Sequence, residues 1–210
     1  HEGRFFSDPQ HCVADADLLI YAVKPQDSAR LFEQIQPFTQ PGQVHLSIMA
    51  GVRMTTIGAA LHADKIIRAM PNLPAQIGAG VTAFTSTDLV TRLELVMVQN
   101  LLNTTGKTLY VEKEDMIDAA TAISGSGPAY VYYFMNAMIE AAVKMGFSAS
   151  EAELLVSQTF TGAVDLYNKA NYSCEEWIGR VASKGGTTEA ALRVFRETEL
   201  HADIVSGANA

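Results

Sequence analysis

Cysteine is nearly absent from this chain, and the two that occur, Cys12 and Cys174, share neither a C-x-x-C nor a metal-ligand spacing. Two distant thiols exclude a disulfide framework and a zinc knuckle, and they fit reduced cysteines in an intracellular protein. Positive charge is also scarce. Fifteen Lys and Arg against 23 Asp and Glu leave a net charge of −8 with no basic cluster, which excludes nucleic acid and other polyanions as partners. His1, His11, His45, His62 and His201 stand apart from one another and from any nucleophile, so no metal is expected. Ser126 lacks the glycine two residues earlier that a G-x-S-x-G elbow requires, which excludes that class of serine hydrolase. The segment from His1 to Phe6 has neither a basic n-region nor an apolar h-region, so the expected location is the cytoplasm; a first residue other than Met leaves a processed or truncated start open.

What is present is apolar surface: 48% of the 210 residues are hydrophobic, enough for one large or two ordinary domains. Leu18 to Val23 is a continuous apolar run ended by Lys24-Pro25, the pattern of a strand buried on both faces. A helix from about Ala29 to Gln36, a turn at Pro41-Gly42 and a strand from Val44 to Ile48 complete a β-α-β unit. The pattern continues with a short helix to Leu61, a strand from Lys65 to Ala69, and a strand from Gly80 to Phe84. A helix opening at Thr87-Asp88 and running to about Leu102, then a strand from Lys107 to Val111, follow. This predicts a mostly parallel sheet, with antiparallel pairing at an edge after Pro71.

From Glu114 onward the chain reads as helices only, which places the domain boundary near Lys113: an α/β domain over 1–113 and a helical one over 114–210. Ser124-Gly125-Ser126-Gly127-Pro128 reads as a turn aiming free amides and hydroxyls at one spot before a helix from Ala129 to Met145. In that helix only Asn136, Glu140 and Lys144 break the apolar pattern, at i, i+4 and i+8. Such a helix must be covered on most sides, in a core or a dimer interface; the polar stripe argues against a membrane span. Ser148…Glu151 and Ser173…Glu176 are capping boxes for two more helices, and Thr188 opens another.

Open α/β sheets bind ligands at the carboxyl ends of their strands, here Lys24-Pro25, Ala50-Gly51 and Pro71-Asn72. A second helix-opening loop, Ser183-Lys184-Gly185-Gly186-Thr187-Thr188, reads either as a small anion site of amides and hydroxyls or as ordinary chain reversal. Hydroxyls and amides without a strong acid or base suit a reaction whose difficult step a cofactor performs.

Four segments add a resemblance. Ala22-Val23-Lys24-Pro25, Arg68-Ala69-Met70-Pro71-Asn72, Ser124 to Tyr130 and Gly185-Gly186-Thr187-Thr188-Glu189-Ala190-Ala191-Leu192 are similar, in order and spacing, to motifs of the pyrroline-5-carboxylate reductases. The resemblance runs from about Asp17 to the last residues. It implies reduction of 1-pyrroline-5-carboxylate to L-proline, the last step of proline biosynthesis, by hydride transfer from NADPH or NADH. On it, Ser183, Gly185, Gly186, Thr187 and Thr188 hold the substrate carboxylate, with Glu114 near the substrate, and Thr121 donates or relays the proton to the ring nitrogen. Ala22, Val23, Lys24 and Pro25, with Ile48, Met49 and Ala50, line the cofactor. It further implies an intertwined homodimer, often built into a larger ring, in which each active site takes its carboxylate loop from the partner subunit.

This chain departs from the family at Lys184, where Pro is usual, and at Leu73, where Thr is common. The family also opens with a strand, a G-x-G-x-x-G turn and a helix that cradle the pyrophosphate, and no such segment is found here. The expected fold is therefore a Rossmann-like N-terminal α/β domain lacking its first βαβ unit, followed by an all-α C-terminal dimerisation domain. The alternative is a catalytically inactive truncated relative that acts only as a dimeric helical protein.

Overall fold

The computed structural model describes residues 3–210, which divide into two compact units between Pro128 and Ala129. In the first, β1 (Leu18–Tyr21), β2 (Val44–Ser47) and β3 (Ile66–Met70) run parallel, and β4 (Gly80–Ser86) and β5 (Gly106–Tyr110) complete a sheet of order β1-β2-β3-β4-β5. Two parallel neighbours need a long crossover, which α1 (Ser28–Ile35) and α2 (Met54–Leu61) provide between the first three strands. The link from Met70 to Gly80 is too short for one, so β4 turns back antiparallel to β3. The crossover of α3 (Arg92–Asn103) then makes β5 parallel to β4. The expected mostly parallel sheet with an antiparallel step after Pro71 is borne out.

Both faces of the sheet carry a core. Tyr21, Phe32, Ile35, Met49, Ile57, Leu61 and Ile66 pack on the α1 and α2 side. Val44, Leu46, Ile67, Ala69, Phe84, Val98 and Leu102 pack on the α3 side. Alternation along β3 sends Ile66 to the first cluster and Ile67 and Ala69 to the second, so Arg68 shares the face of Ile66. Within the first core the Tyr21 hydroxyl lies 2.6 Å from His45 Nδ1, and burial holds the imidazole down to about 4. Glycine is required where β4 meets β5: a Cβ on Gly106, which has φ of +146°, would lie 2.0 Å from the Gly80 carbonyl oxygen.

Two local expectations are corrected. The helix expected to open at Thr87-Asp88 begins at Arg92, capped by a reciprocal Thr91 and Glu94 box. Thr87 is instead consumed by the sheet, its Oγ1 donating to the Asp64 carbonyl and accepting from the Ile66 amide. The serine and glycine segment is not an open turn. After α4 (Asp115–Ala120) the chain continues through a π-helical turn, Thr121–Gly125, and after Ser126 into α5 (Gly127–Lys144). The Ser126 amide donates to the Thr121 carbonyl and the Ser124 hydroxyl to the Ala120 carbonyl, so these groups are engaged within the helix rather than presented.

The second unit carries most of α5, then α6 (Ala149–Lys169), α7 (Cys174–Val181), α8 (Thr187–Glu197) and α9 (Leu200–Ala208). The boxes at Ser148 and Ser173 form as expected, and Glu140 pairs with Lys144 at 2.6 Å along the polar stripe. Helix α9 follows Glu199, which caps it in the left-handed region, and had no sequence signal of its own. Among the described residues of this unit only Ala152 and Val156 are buried apolar positions, while Tyr133 is 77% and Met145 79% exposed. No described helix is long and apolar enough to cross a membrane.

Candidate functional site

The carboxyl ends of the three parallel strands lie at one edge of the sheet. Ser47 pairs with Tyr21, and the Ile48 amide donates to the Tyr21 carbonyl, so β1 and β2 end together. Beyond them Ala22, Val23, Lys24 and Pro25 are all exposed, and Lys24 is extended, leading into a short 3-10 turn. Ile48 and Ala50 are half-buried, whereas the Met49 side chain belongs to the α1 and α2 core, leaving only its backbone to line a ligand. Gly51 follows in the left-handed region with open space where a Cβ would stand. At the end of β3 the Asn72 side chain accepts the Val81 amide at 2.9 Å, fixing the reversal into β4.

The segment carrying Thr121 is fastened to this edge by β3. Arg68, with a fully buried side chain, donates from one terminal nitrogen to Glu114 Oε1 at 3.2 Å and from the other to Asp118 Oδ1 at 2.5 Å. Glu114 also accepts the Met54 amide at 2.7 Å and lies 3.8 Å from Arg53. Arg53 in turn pairs with Asp115 at 2.6 Å and faces Asp118 at 3.8 Å. Glu114 thus holds elements of the sheet unit together. Thr121 is half-buried, and its hydroxyl donates its one proton to the Ile117 carbonyl at 2.9 Å, which leaves the oxygen lone pairs to accept from another partner. A Cβ on Gly125 would stand 3.1 Å from the Met70 terminal methyl, so the π-helical turn rests directly on the last residue of β3.

In the helical unit the loop from Ser183 to Thr188 is a tight turn. The Gly186 amide donates to the Ser183 carbonyl, and the Gly185 amide, at a φ of +75°, donates to Glu189 Oε2 at 2.6 Å. Two of the expected anion-binding amides are therefore already engaged. The first-turn amides of α8 differ. Gly186 is the N-cap and offers no side-chain oxygen, which leaves Thr187 and Thr188 without an internal acceptor among the described residues. A recess of about 480 Å³ on the same loop and helix is lined by Gly185, Gly186, Glu189, Ala190, Arg193 and Arg196, and neither threonine is among its lining residues.

Sequence reasoning missed Arg68 as an organising residue and Glu189 as a partner of the loop. A charge inside the apolar run of β3 was the available signal for the first; for the second it was an acid four residues after a glycine at a helix start. Among the described residues no group of three His, Cys, Asp or Glu could hold a metal ion.

A family model described as pyrroline-5-carboxylate reductase dimerisation matches residues 114–210. The pyrroline-5-carboxylate reductase of Pseudomonas aeruginosa is 35% identical over 94% of this chain and 73% of its own length. The solved reductase structure from Coxiella burnetii superposes with a TM-score of 0.88 at 30% identity, covering 97% of this chain and 76% of that one. The Plasmodium falciparum pyrroline carboxylate reductase, solved with NADP bound, gives 0.90 at 28% identity over 97% and 78%. Identity of this extent, across both the sheet and the helical unit, shows that the chain belongs to the pyrroline-5-carboxylate reductase family.

Proposed function

We propose that this chain reduces 1-pyrroline-5-carboxylate to L-proline with NADPH or NADH as the hydride source. The observation that carries the reading is the identity to the Pseudomonas aeruginosa reductase over 94% of the chain, which takes in every site segment described above. The reaction adds a hydride to the imine carbon and a proton to the ring nitrogen, turning a C=N bond into a secondary amine. The nicotinamide supplies the hydride when bound; the protein supplies position and the proton path.

The strand ends fit such a cofactor. Exposed small residues at Ala22 and Val23, the flat approach over Ala50 and Gly51, and the backbone of Ile48 and Met49 would line it, with Lys24 as the cation near its ribose or phosphate end. The substrate carboxylate is taken by the open amides and hydroxyls of Thr187 and Thr188 at the positive end of α8. Gly185 and Gly186, whose amides are engaged, and Ser183, whose carbonyl accepts the Gly186 amide, shape that loop. Thr121 holds the ring nitrogen and relays its proton, since a hydroxyl that donates to a carbonyl can still accept and exchange. Glu114 acts on the substrate only through the segment it anchors.

The helical unit self-associates as a homodimer, supported by its exposed apolar helices and by the dimerisation family it matches. Further assembly into a larger ring follows from the same family reading.

The test is NADPH consumption by the purified chain with pyrroline-5-carboxylate, with proline identified as product. Turnover that saturates in both reactants is expected; binding of neither, in a folded protein, would overturn the assignment.

A further inference from the structure

We infer that Arg68 is a positioning residue for the reaction: its guanidinium fixes the rotation of α4 and thereby the direction in which the π-helical turn presents Thr121. The inference rests on the reading of Thr121 given above.

Four observations carry it. The Arg68 side chain is wholly buried, yet its Nε has no hydrogen-bond partner, so the site is not optimised for solvating a charge. An apolar residue would fill a purely structural position at lower cost, because taking a guanidinium out of water is expensive even when it is paired. What the guanidinium adds is direction: its rigid fork reaches Glu114, the residue before α4, and Asp118, four residues on, so both contacts lie on one stripe of one helix. Two fixed points on that stripe settle the helix's rotation about its axis.

Thr121 is three residues beyond Asp118 and four beyond the buried Ile117, whose carbonyl its hydroxyl engages, so it continues the same stripe. Two residues after Arg68 on the same strand, Met70 meets Gly125 at the far end of the π-helical turn. β3 therefore grips this segment before and after Thr121. A π-helical turn departs from the regular α-helical spacing, so without both grips its register against the sheet would be free to shift.

The experiment compares Asp118→Ala, Asp118→Asn, Thr121→Val and the double variant D118A/T121V in the whole chain, with circular dichroism and thermal melting to select folded proteins. Asp118 is the partner of choice because its side chain is 44% exposed, so its loss is tolerated better than that of Arg68. D118A is expected to lower kcat roughly tenfold or more while the KM for NADPH stays within about twofold, since misplacing a reacting group costs rate rather than cofactor binding. D118N, which keeps an acceptor for the guanidinium, should restore most of it. In the T121V background D118A should add less than about a twofold further loss, because the two residues act as one unit. A folded D118A with unchanged kcat beside a damaged T121V overturns the positioning role alone. Equal further loss in the double variant does the same. A T121V enzyme with full kcat overturns the Thr121 reading itself, and the positioning role with it.

Discussion

On the proposed reading, substrate recognition turns on Thr187 and Thr188, because the two glycines before them have spent their amides. Gly185 gives its N–H to Glu189 and Gly186 gives its own to Ser183. Replacing both threonines by valine removes the hydroxyls and crowds the helix entrance with methyl groups. The KM for pyrroline-5-carboxylate should rise at least about tenfold, with the KM for NADPH within about twofold, as expected for loss of contacts to one reactant only. Steady-state kinetics with each reactant varied in turn checks this, and a parallel loss of both affinities would contradict it. The sequence pointed to this loop through its glycines and hydroxyls. It did not reveal which amides were free, because that depends on where the Glu189 side chain and the Ser183 carbonyl settle.

At the scale of elements, two features of the sheet set measurable limits. The β4–β5 pairing tolerates no side chain at Gly106, whose Cβ would meet the Gly80 carbonyl at 2.0 Å. Gly106→Ala should cost about 3 kcal/mol or more in denaturant unfolding, since backbone atoms cannot step aside. In the α1 and α2 core, burial holds His45 down to about 4, below the ordinary histidine value of 6.5. The unfolded chain therefore takes up a proton first as the medium is acidified, and stability falls across the window from about pH 6.5 to about pH 4. The loss amounts to at most about 2 kcal/mol between pH 7 and pH 5. A His45→Gln variant should melt with a flatter pH profile than the parent; an unchanged slope would assign the acid sensitivity elsewhere. Elements bounded by local chemistry were legible from sequence: the boxes at Ser148 and Ser173 need only residues three apart. Thr87 misled because a cap and a sheet contact look alike locally, and its partners Asp64 and Ile66 lie 23 and 21 residues away. Ser124 to Gly127 misled for a related reason. Glycine and serine favour turns in isolation, but here α4 and β3 hold the segment helical.

For the whole molecule, the contrast between the two units matters most. The sheet unit has a core on each face, whereas 129–210 buries only Ala152 and Val156 among its described apolar residues. A unit of that kind draws its stability from association, so its melting temperature should rise with protein concentration. Melting the protein over a hundredfold dilution series, with sedimentation alongside, tests this; a folded monomer at micromolar concentration would refute it. Tyr133→Asp, placing a charge at a 77% exposed aromatic on α5, should shift the population toward monomer and lower the melting temperature. A helical half that cannot finish itself also changes how damage is inherited. When altered and normal subunits are made together, a lesion there is shared between the two chains of each mixed pair, so the normal copy shelters its companion or is spoiled by it.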